Sequence, residues 1–151
     1  MGNDYDTSLS PAQIGDLCCI AGVMIPPSEE FGVPGADDAL IIADILRSLG
    51  RDAGGVRAAL TQLAALAGGS FSALDETRRG SVAAAFLSSK APEVTVLGRV
   101  VLQCYYRDDR VMHSLGLEPR PPFPKGHTLE QGDWSLLDPV RAMPKLWRDA
   151  P

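Results

Sequence analysis

The sequence predicts an all-α protein, with a compact array of about five helices and an extended C-terminal arm. Two observations predict this class. Along residues 1–116, apolar residues recur at intervals of three and four, which is the spacing of an amphipathic helix. Between Leu117 and Pro151 lie seven of the twelve prolines and both tryptophans, and proline removes backbone donors that a regular helix needs. We therefore predict a helical domain at 1–116 and an arm at 117–151.

Local signals position the first two helices. Residues 10–13 combine an N-cap serine, a proline at the first helical position and a capping-box glutamine, so a first helix should run to about Met24. A loop containing Gly and Pro then leads to a second helix, which is predicted to start at Ala36 or Asp37 and to stop near Gly50.

The third and fourth helices follow closely. The third is predicted from Asp52 to Ala67, with the glycine pair at 68–69 as a left-handed stop. The fourth should be capped by Ser70 or Ser72 and should reach beyond Val82. Its charged side chains are expected in solvent, at Glu76, Arg78 and Arg79.

A fifth helix should open at Pro92 and end near the tyrosine pair at 105–106. A short turn or helix over 111–115, stopped by Gly116, then leads to the arm. The apolar face predicted to be buried comprises Val94, Leu97, Val101 and Cys104.

Composition excludes several classes of protein. The net charge of −5 and the lack of a basic stripe argue against nucleic-acid binding. Three cysteines without metal-ligand spacing favour a reducing compartment. The sequence has no run of eighteen apolar residues, so no transmembrane segment is expected. Its start has no basic segment followed by an apolar stretch, so a cytoplasmic location is expected, with membrane association only through partners.

Catalytic and metal sites have weak candidates. A cysteine–histidine nucleophile would need Cys104 with His113 or His127, but Cys104 falls on the predicted buried face, which favours a structural thiol. Asp108 and Asp109 are adjacent and project in different directions, so solvent or an arginine partner, Arg107 or Arg110, suits them better than a metal. We assign no catalytic or metal-binding residue to this chain.

The glycines give no phosphate-binding loop. Gly32, Gly35, Gly54 and Gly55 follow no predicted strand and are interpreted as helix punctuation. This chain is therefore not expected to hold a flavin or another cofactor by itself.

The aromatic residues suggest contact with a partner protein. Large aromatic side chains are enriched at interfaces because they bury much apolar area. For the tryptophans, the alternative is packing of the arm onto its own helices, and for the tyrosine pair it is a place in the core. The candidate partner-binding residues are Tyr105, Tyr106, Arg107, Asp109, Arg110, Pro121, Phe123, Trp134, Leu136 and Trp147.

Two segments have the order and spacing of a known family. Residues 23–36 read Val-Met-Ile-Pro-Pro-Ser-Glu-Glu-Phe-Gly-Val-Pro-Gly-Ala, an apolar helix end, Ile-Pro, an acidic loop and a Pro-Gly-Ala entry to the next helix. Leu74-Asp75 is followed some thirty residues later by 105–110, Tyr-Tyr-Arg-Asp-Asp-Arg. Over residues 12–111 the chain resembles the gluconate 2-dehydrogenase subunit 3 family.

The resemblance implies a helical small subunit that has no cofactor of its own and supports the folding, stability or export of a large subunit. That partner would be a FAD-dependent dehydrogenase of the glucose-methanol-choline type, which takes hydride from an alcohol or a sugar. A cytochrome subunit or a quinone would then accept the electrons. The expected function is thus that of a noncatalytic, chaperone-like subunit in an oxidoreductase complex. The alternative is a stand-alone helical adaptor or a homo-oligomeric interaction protein.

Overall fold

A computed structural model describes residues 9–121, 123–126, 128–146 and 148. The chain divides into two units, 1–119 and 120–151. In the described residues the regular structure is helical, and the sole β-type pairing there is an isolated bridge between Ser28 and Val33. The all-α prediction is confirmed.

Six α-helices lie in the first unit and one in the second, among the residues described. The helices are α1 (Pro11–Met24), α2 (Ala39–Ser48), α3 (Ala53–Ala67), α4 (Glu76–Ser88), α5 (Pro92–Tyr105), α6 (Asp109–Ser114) and α7 (Asp138–Arg141). Short 3-10 turns cover Gly50–Asp52, Phe71–Ala73 and Trp134–Leu137. No helix in these described ranges is both long enough and apolar enough to cross a membrane.

Helix α1 has the predicted capping box. The Gln13 backbone N–H donates to the Ser10 hydroxyl at 3.3 Å, and the Ser10 N–H donates to the Gln13 side-chain oxygen at 3.0 Å. Helix α2 starts later than predicted. The Ala36 N–H donates to the Ile25 carbonyl at 2.9 Å, and Asp38 becomes the N-cap by accepting the Leu40 N–H at 3.0 Å. The loop between the helices therefore extends further than its glycine and proline signals indicated.

Helix α3 lies at the centre of the first unit and packs against α1, α4 and α5. It ends at Gly68, whose φ of 72° is the predicted left-handed stop. Gly54 and Gly55 both lie inside α3, so their interpretation as helix punctuation is wrong. A Cβ atom at Gly55 would stand 3.0 Å from the Val96 side chain, so this glycine permits a close approach of α3 and α5.

Helix α4 has a different cap from the one predicted. Asp75, rather than Ser70 or Ser72, accepts the first-turn backbone N–H at 2.9 Å. The two serines bind the buried carboxylate of Asp16 instead: the Ser70 hydroxyl donates at 2.9 Å and the Ser72 N–H at 2.8 Å. These bonds satisfy a charge that would otherwise be costly to bury.

Arg79 corrects the expectation that the charged residues of α4 are in solvent. Its guanidinium donates to the carbonyls of Leu74 and Ser72, at 2.7 and 3.2 Å. It thus satisfies backbone acceptors in the turn before α4, whereas Glu76 remains exposed.

The core of the first unit is formed by apolar residues from all of its helices, including the four that the sequence placed on the buried face of α5. The second unit has no buried residue in its described part. A helical stretch, Trp134–Arg141, does form there, with the Asp133 carboxylate accepting the Ser135 N–H at 3.0 Å. The sequence did not predict this stretch, because Pro139 and the surrounding prolines suggested an extended chain.

Candidate partner-binding surfaces

The tyrosine pair divides between the core and the surface. Tyr105 is buried, its hydroxyl donates to the Pro34 carbonyl at 3.2 Å, and burial raises the pKa of its phenol. Tyr106 is exposed, and the two rings meet edge to face with their centroids 5.3 Å apart. Tyr105 thus positions the loop before α2, whereas Tyr106 is available to solvent.

Arg107 joins the end of α5 to α2. Its Nε and Nη2 atoms donate to Asp44 Oδ2 at 3.0 and 2.6 Å, and Nη2 also donates to the Ser48 hydroxyl at 2.7 Å. Burial alone would raise the pKa of Asp44, but the hydrogen bonds and charge of Arg107 outweigh it and lower that pKa below its usual value. Sequence inspection missed Asp44, because only the packing of α2 against α5 brings it to Arg107.

Arg110 binds two carboxylates at once. It donates to Asp38 at 2.8 and 3.1 Å and to Asp108 at 2.9 and 3.0 Å. Hydrogen bonding to Arg110 lowers the pKa of both carboxyl groups, and the pKa of Arg110 itself is raised by the same bonds. Of the two alternatives given for Asp108, solvent or an arginine partner, the structure shows the arginine. Asp38 is a partner that the sequence did not reveal.

These ion pairs border an open groove of about 460 Å³ within the first unit. Helix α2 contributes Leu40, Ile41, Asp44 and Arg47 to its lining. The other side is formed by Cys104 and by residues 107–110, in which Asp109 is exposed. The groove thus combines an exposed leucine with paired charges of both signs.

Cys104 lies at this groove as a structural thiol. Burial raises its pKa, and the nearby charge of Asp44 raises it further, so the thiol is protonated at neutral pH. Its sulfur accepts from Arg107 at 3.5 Å, and His113 is exposed on α6. His127 lies outside the described residues. The groove therefore offers hydrogen bonds and apolar contact rather than an activated nucleophile.

Within the described ranges, no group of three or more histidine, cysteine or acidic residues is placed to hold a metal ion.

The described part of the arm presents its large apolar side chains to solvent. Of the predicted partner-binding residues, Phe123 is 84% exposed, Leu136 74% and Trp134 61%. Pro121 is also exposed, and Trp147 lies outside the described residues. Five more apolar side chains of this unit are exposed, namely Leu129, Leu137, Val140, Met143 and Leu146. Such a concentration of exposed apolar area is typical of a protein–protein interaction site.

The surfaces are thus a charged groove on the helical unit and an apolar arm. Comparison of the chain with protein-family models, with curated proteins and with solved structures finds no match.

Proposed function

We propose that this chain is a noncatalytic small subunit that binds and stabilises a large FAD-dependent dehydrogenase subunit acting on an alcohol or a sugar. The observation that carries the proposal is the exposure of all eight large apolar side chains in the described part of 120–151. A soluble monomer gains nothing from such a segment, whereas a subunit uses it to bury apolar area against its partner.

The energetics favour a partner that covers the arm. Full burial of a large apolar side chain is worth about 1.5–3 kcal/mol. Burial of Phe123, Trp134 and Leu136 would therefore contribute several kcal/mol, from which the costs of association and side-chain ordering are subtracted. Because association costs about 4–15 kcal/mol, these three side chains hold a complex only together with the other five exposed apolar side chains of the segment.

The identity of the partner rests on the family resemblance. Its two segments are in direct contact: the Tyr105 hydroxyl of one donates to the Pro34 carbonyl of the other at 3.2 Å. This contact makes the two segments neighbours in the fold, which supports considering them together. In the proposed complex the flavin and the hydride transfer belong to the large subunit, and a cytochrome or a quinone receives the electrons.

The test is a gentle purification of the tagged chain from its native host, followed by an absorbance spectrum and mass analysis of what accompanies it. We expect a large flavoprotein in roughly stoichiometric amount and a yellow sample that reacts with an alcohol or a sugar. A colourless sample containing only this chain would contradict the proposal and support the homo-oligomeric alternative.

A truncation after Gly116 tests the role of the arm in the same purification. We expect the truncated chain to lose the large subunit while its helical unit remains folded by circular dichroism. Equal retention by the truncated and intact chains would show that binding does not depend on the arm. The matched control is the full chain with Leu87→Ser, which removes an exposed leucine from α4 and leaves the arm intact.

A further inference from the structure

Residues 28–33, here called the Phe31 loop, form a closed loop between α1 and α2. Ser28 and Val33 exchange two backbone hydrogen bonds, each 3.0 Å long. The Ser28 hydroxyl accepts the Phe31 N–H at 3.4 Å, and the Gly32 N–H donates to the Glu29 carbonyl at 3.2 Å. Gly32 has a φ of 62°, which side-chain-bearing residues adopt at a cost. The loop therefore has a defined shape without a ligand.

The base of the loop is fixed to the helical unit. Val33 packs against the core. Directly after it, the Pro34 carbonyl accepts the Tyr105 hydroxyl, and the Ala36 N–H donates to the Ile25 carbonyl at 2.9 Å. These contacts hold both ends of the loop, while residues 29–32 at its tip are exposed.

The tip of the loop carries an exposed aromatic side chain next to two glutamates. Phe31 is 65% exposed, and Glu29 and Glu30 are exposed beside it. One exposed apolar residue is ordinary in itself. Here, however, hydrogen bonds fix the loop that carries it. An aromatic side chain on a preformed loop loses little conformational freedom on binding, which is the property of an interface anchor.

The two glutamates indicate the chemistry of the surface that would receive the ring. Carboxylates next to an inserted ring favour lysine or arginine at the rim of the receiving pocket, and the net charge of −5 adds to that preference. The same carboxylates oppose insertion into an anionic membrane surface. A protein pocket is therefore the better match.

We infer that the Phe31 loop is a second docking element, which inserts Phe31 into an apolar pocket of the large subunit while Glu29 and Glu30 meet basic side chains at the rim. This inference rests on the proposed function for the existence of the large subunit, but it does not depend on the arm.

The experiment is a competition between full-length chains for the large subunit. Wild-type and variant chains that differ in mass are co-expressed in equal amounts with the large subunit, and mass spectrometry gives their ratio in the purified complex. For Phe31→Ser we expect retention on the order of a tenth of wild type or less, as for an interface hot spot. The control is Leu66→Ser, which removes a 45% exposed leucine from α3 and should be retained equally.

Two further variants distinguish the contribution of the loop shape to binding from that of the two glutamate charges. Gly32→Val keeps the phenylalanine but opposes the positive φ at this position. A Cβ placed there meets no other atom within 4 Å, so the substitution adds no steric clash. Depletion of this variant from the complex would therefore report the shape of the loop alone. The double variant Glu29→Lys with Glu30→Lys should be depleted strongly at low salt and less so at high salt, because exposed charge contacts are screened. Thermal melts of all variants check that each is folded.

The possible results separate this inference from the proposed function. If wild type binds the large subunit and Phe31→Ser is retained equally, the inference is wrong and the proposed function stands. If wild type retains no large subunit, both fail together. Binding of the intact chain to vesicles containing phosphatidylglycerol, lost in Phe31→Ser while the competition is unchanged, would assign the loop to a membrane and would also overturn the inference.

Discussion

Arg110 lies with its guanidinium 2.8 Å from the carboxylate of Asp38, although 72 residues separate the two along the chain. Asp38 is the N-cap of α2. The same guanidinium holds Asp108, the N-cap of α6. One cation thus joins the starts of two helices, where carboxylates cap the backbone donors and the cation balances their charge.

Arg110→Gln should therefore destabilise the chain. Single exposed ion pairs contribute about 0.2–1 kcal/mol, and paired contacts to two helix caps should bring the loss in the free energy of unfolding to about 1–2 kcal/mol. Urea denaturation measures it. The control is Arg141→Gln, which removes an exposed pair with Asp138 and should change stability by less than about 0.5 kcal/mol. Equal effects of the two substitutions would contradict the role of Arg110.

Acid should weaken the fold through the same carboxylates. The folded-state pKa values of Asp38 and Asp108 are lowered by their hydrogen bonds to Arg110. Their contribution to stability is therefore fully present above the unfolded aspartate pKa of about 3.9, and it is lost as the pH falls below that value and through the folded pKa values. We expect the unfolding free energy of wild type to fall more steeply below about pH 4 than that of Arg110→Gln. Parallel curves from urea unfolding at several pH values would show that these pairs do not set the acid response.

Tyr105→Phe should cost about 1 kcal/mol in the free energy of unfolding, because it leaves the Pro34 carbonyl without its 3.2 Å hydrogen bond while the ring stays packed. Tyr106→Phe is the matched control, since that side chain is exposed, and it should change stability by less than about 0.5 kcal/mol. Thermal melts of both variants suffice. An equal loss in both variants would show that the effect of Tyr105→Phe does not come from the hydrogen bond to Pro34.

The two adjacent glycines of α3 should respond differently to alanine. Nothing lies within 4 Å of a Cβ placed at Gly54, so Gly54→Ala should stabilise the helix by up to about 1 kcal/mol. At Gly55 the new atom would lie 3.0 Å from Val96, so steric crowding should cancel that gain or reverse it. Chemical denaturation gives the free energy of unfolding of the two variants, and the difference between them reports the contact between α3 and α5. Equal stabilisation at both positions would mean that α5 moves away from α3 without a cost in free energy.

The sequence predicted those features that depend on near neighbours. The capping box at Ser10 and the stop at Gly68 are local, so their residue types were enough. The cap of α4 was wrong because Asp16, more than fifty residues away, binds the serines that would otherwise have served. Gly55 was misread for a similar reason, since its role depends on how α5 crosses α3.

The same distinction between local features and features that depend on tertiary packing applies to the candidate surfaces. Aromatic and proline content alone predicted the arm, and the large apolar side chains in its described part are exposed. The partners of Arg107 and Arg110 on α2 could not, because Asp44 and Asp38 reach them only through tertiary packing. The exposure of Phe31 could not be predicted from its motif, because the hydrogen bonds that close its loop are not visible in composition.

The absence of buried residues in the described part of 120–151 bears on how long an unaccompanied chain survives. Proteases cleave where backbone can be drawn into an extended shape, and a segment without core contacts opens at little cost in free energy. Basic side chains such as Arg141 give trypsin-like enzymes accessible positions there. If the proposed partner covers the arm, a copy whose arm is uncovered is degraded faster than a bound copy, and cellular turnover would keep the amount of this chain matched to that of the partner.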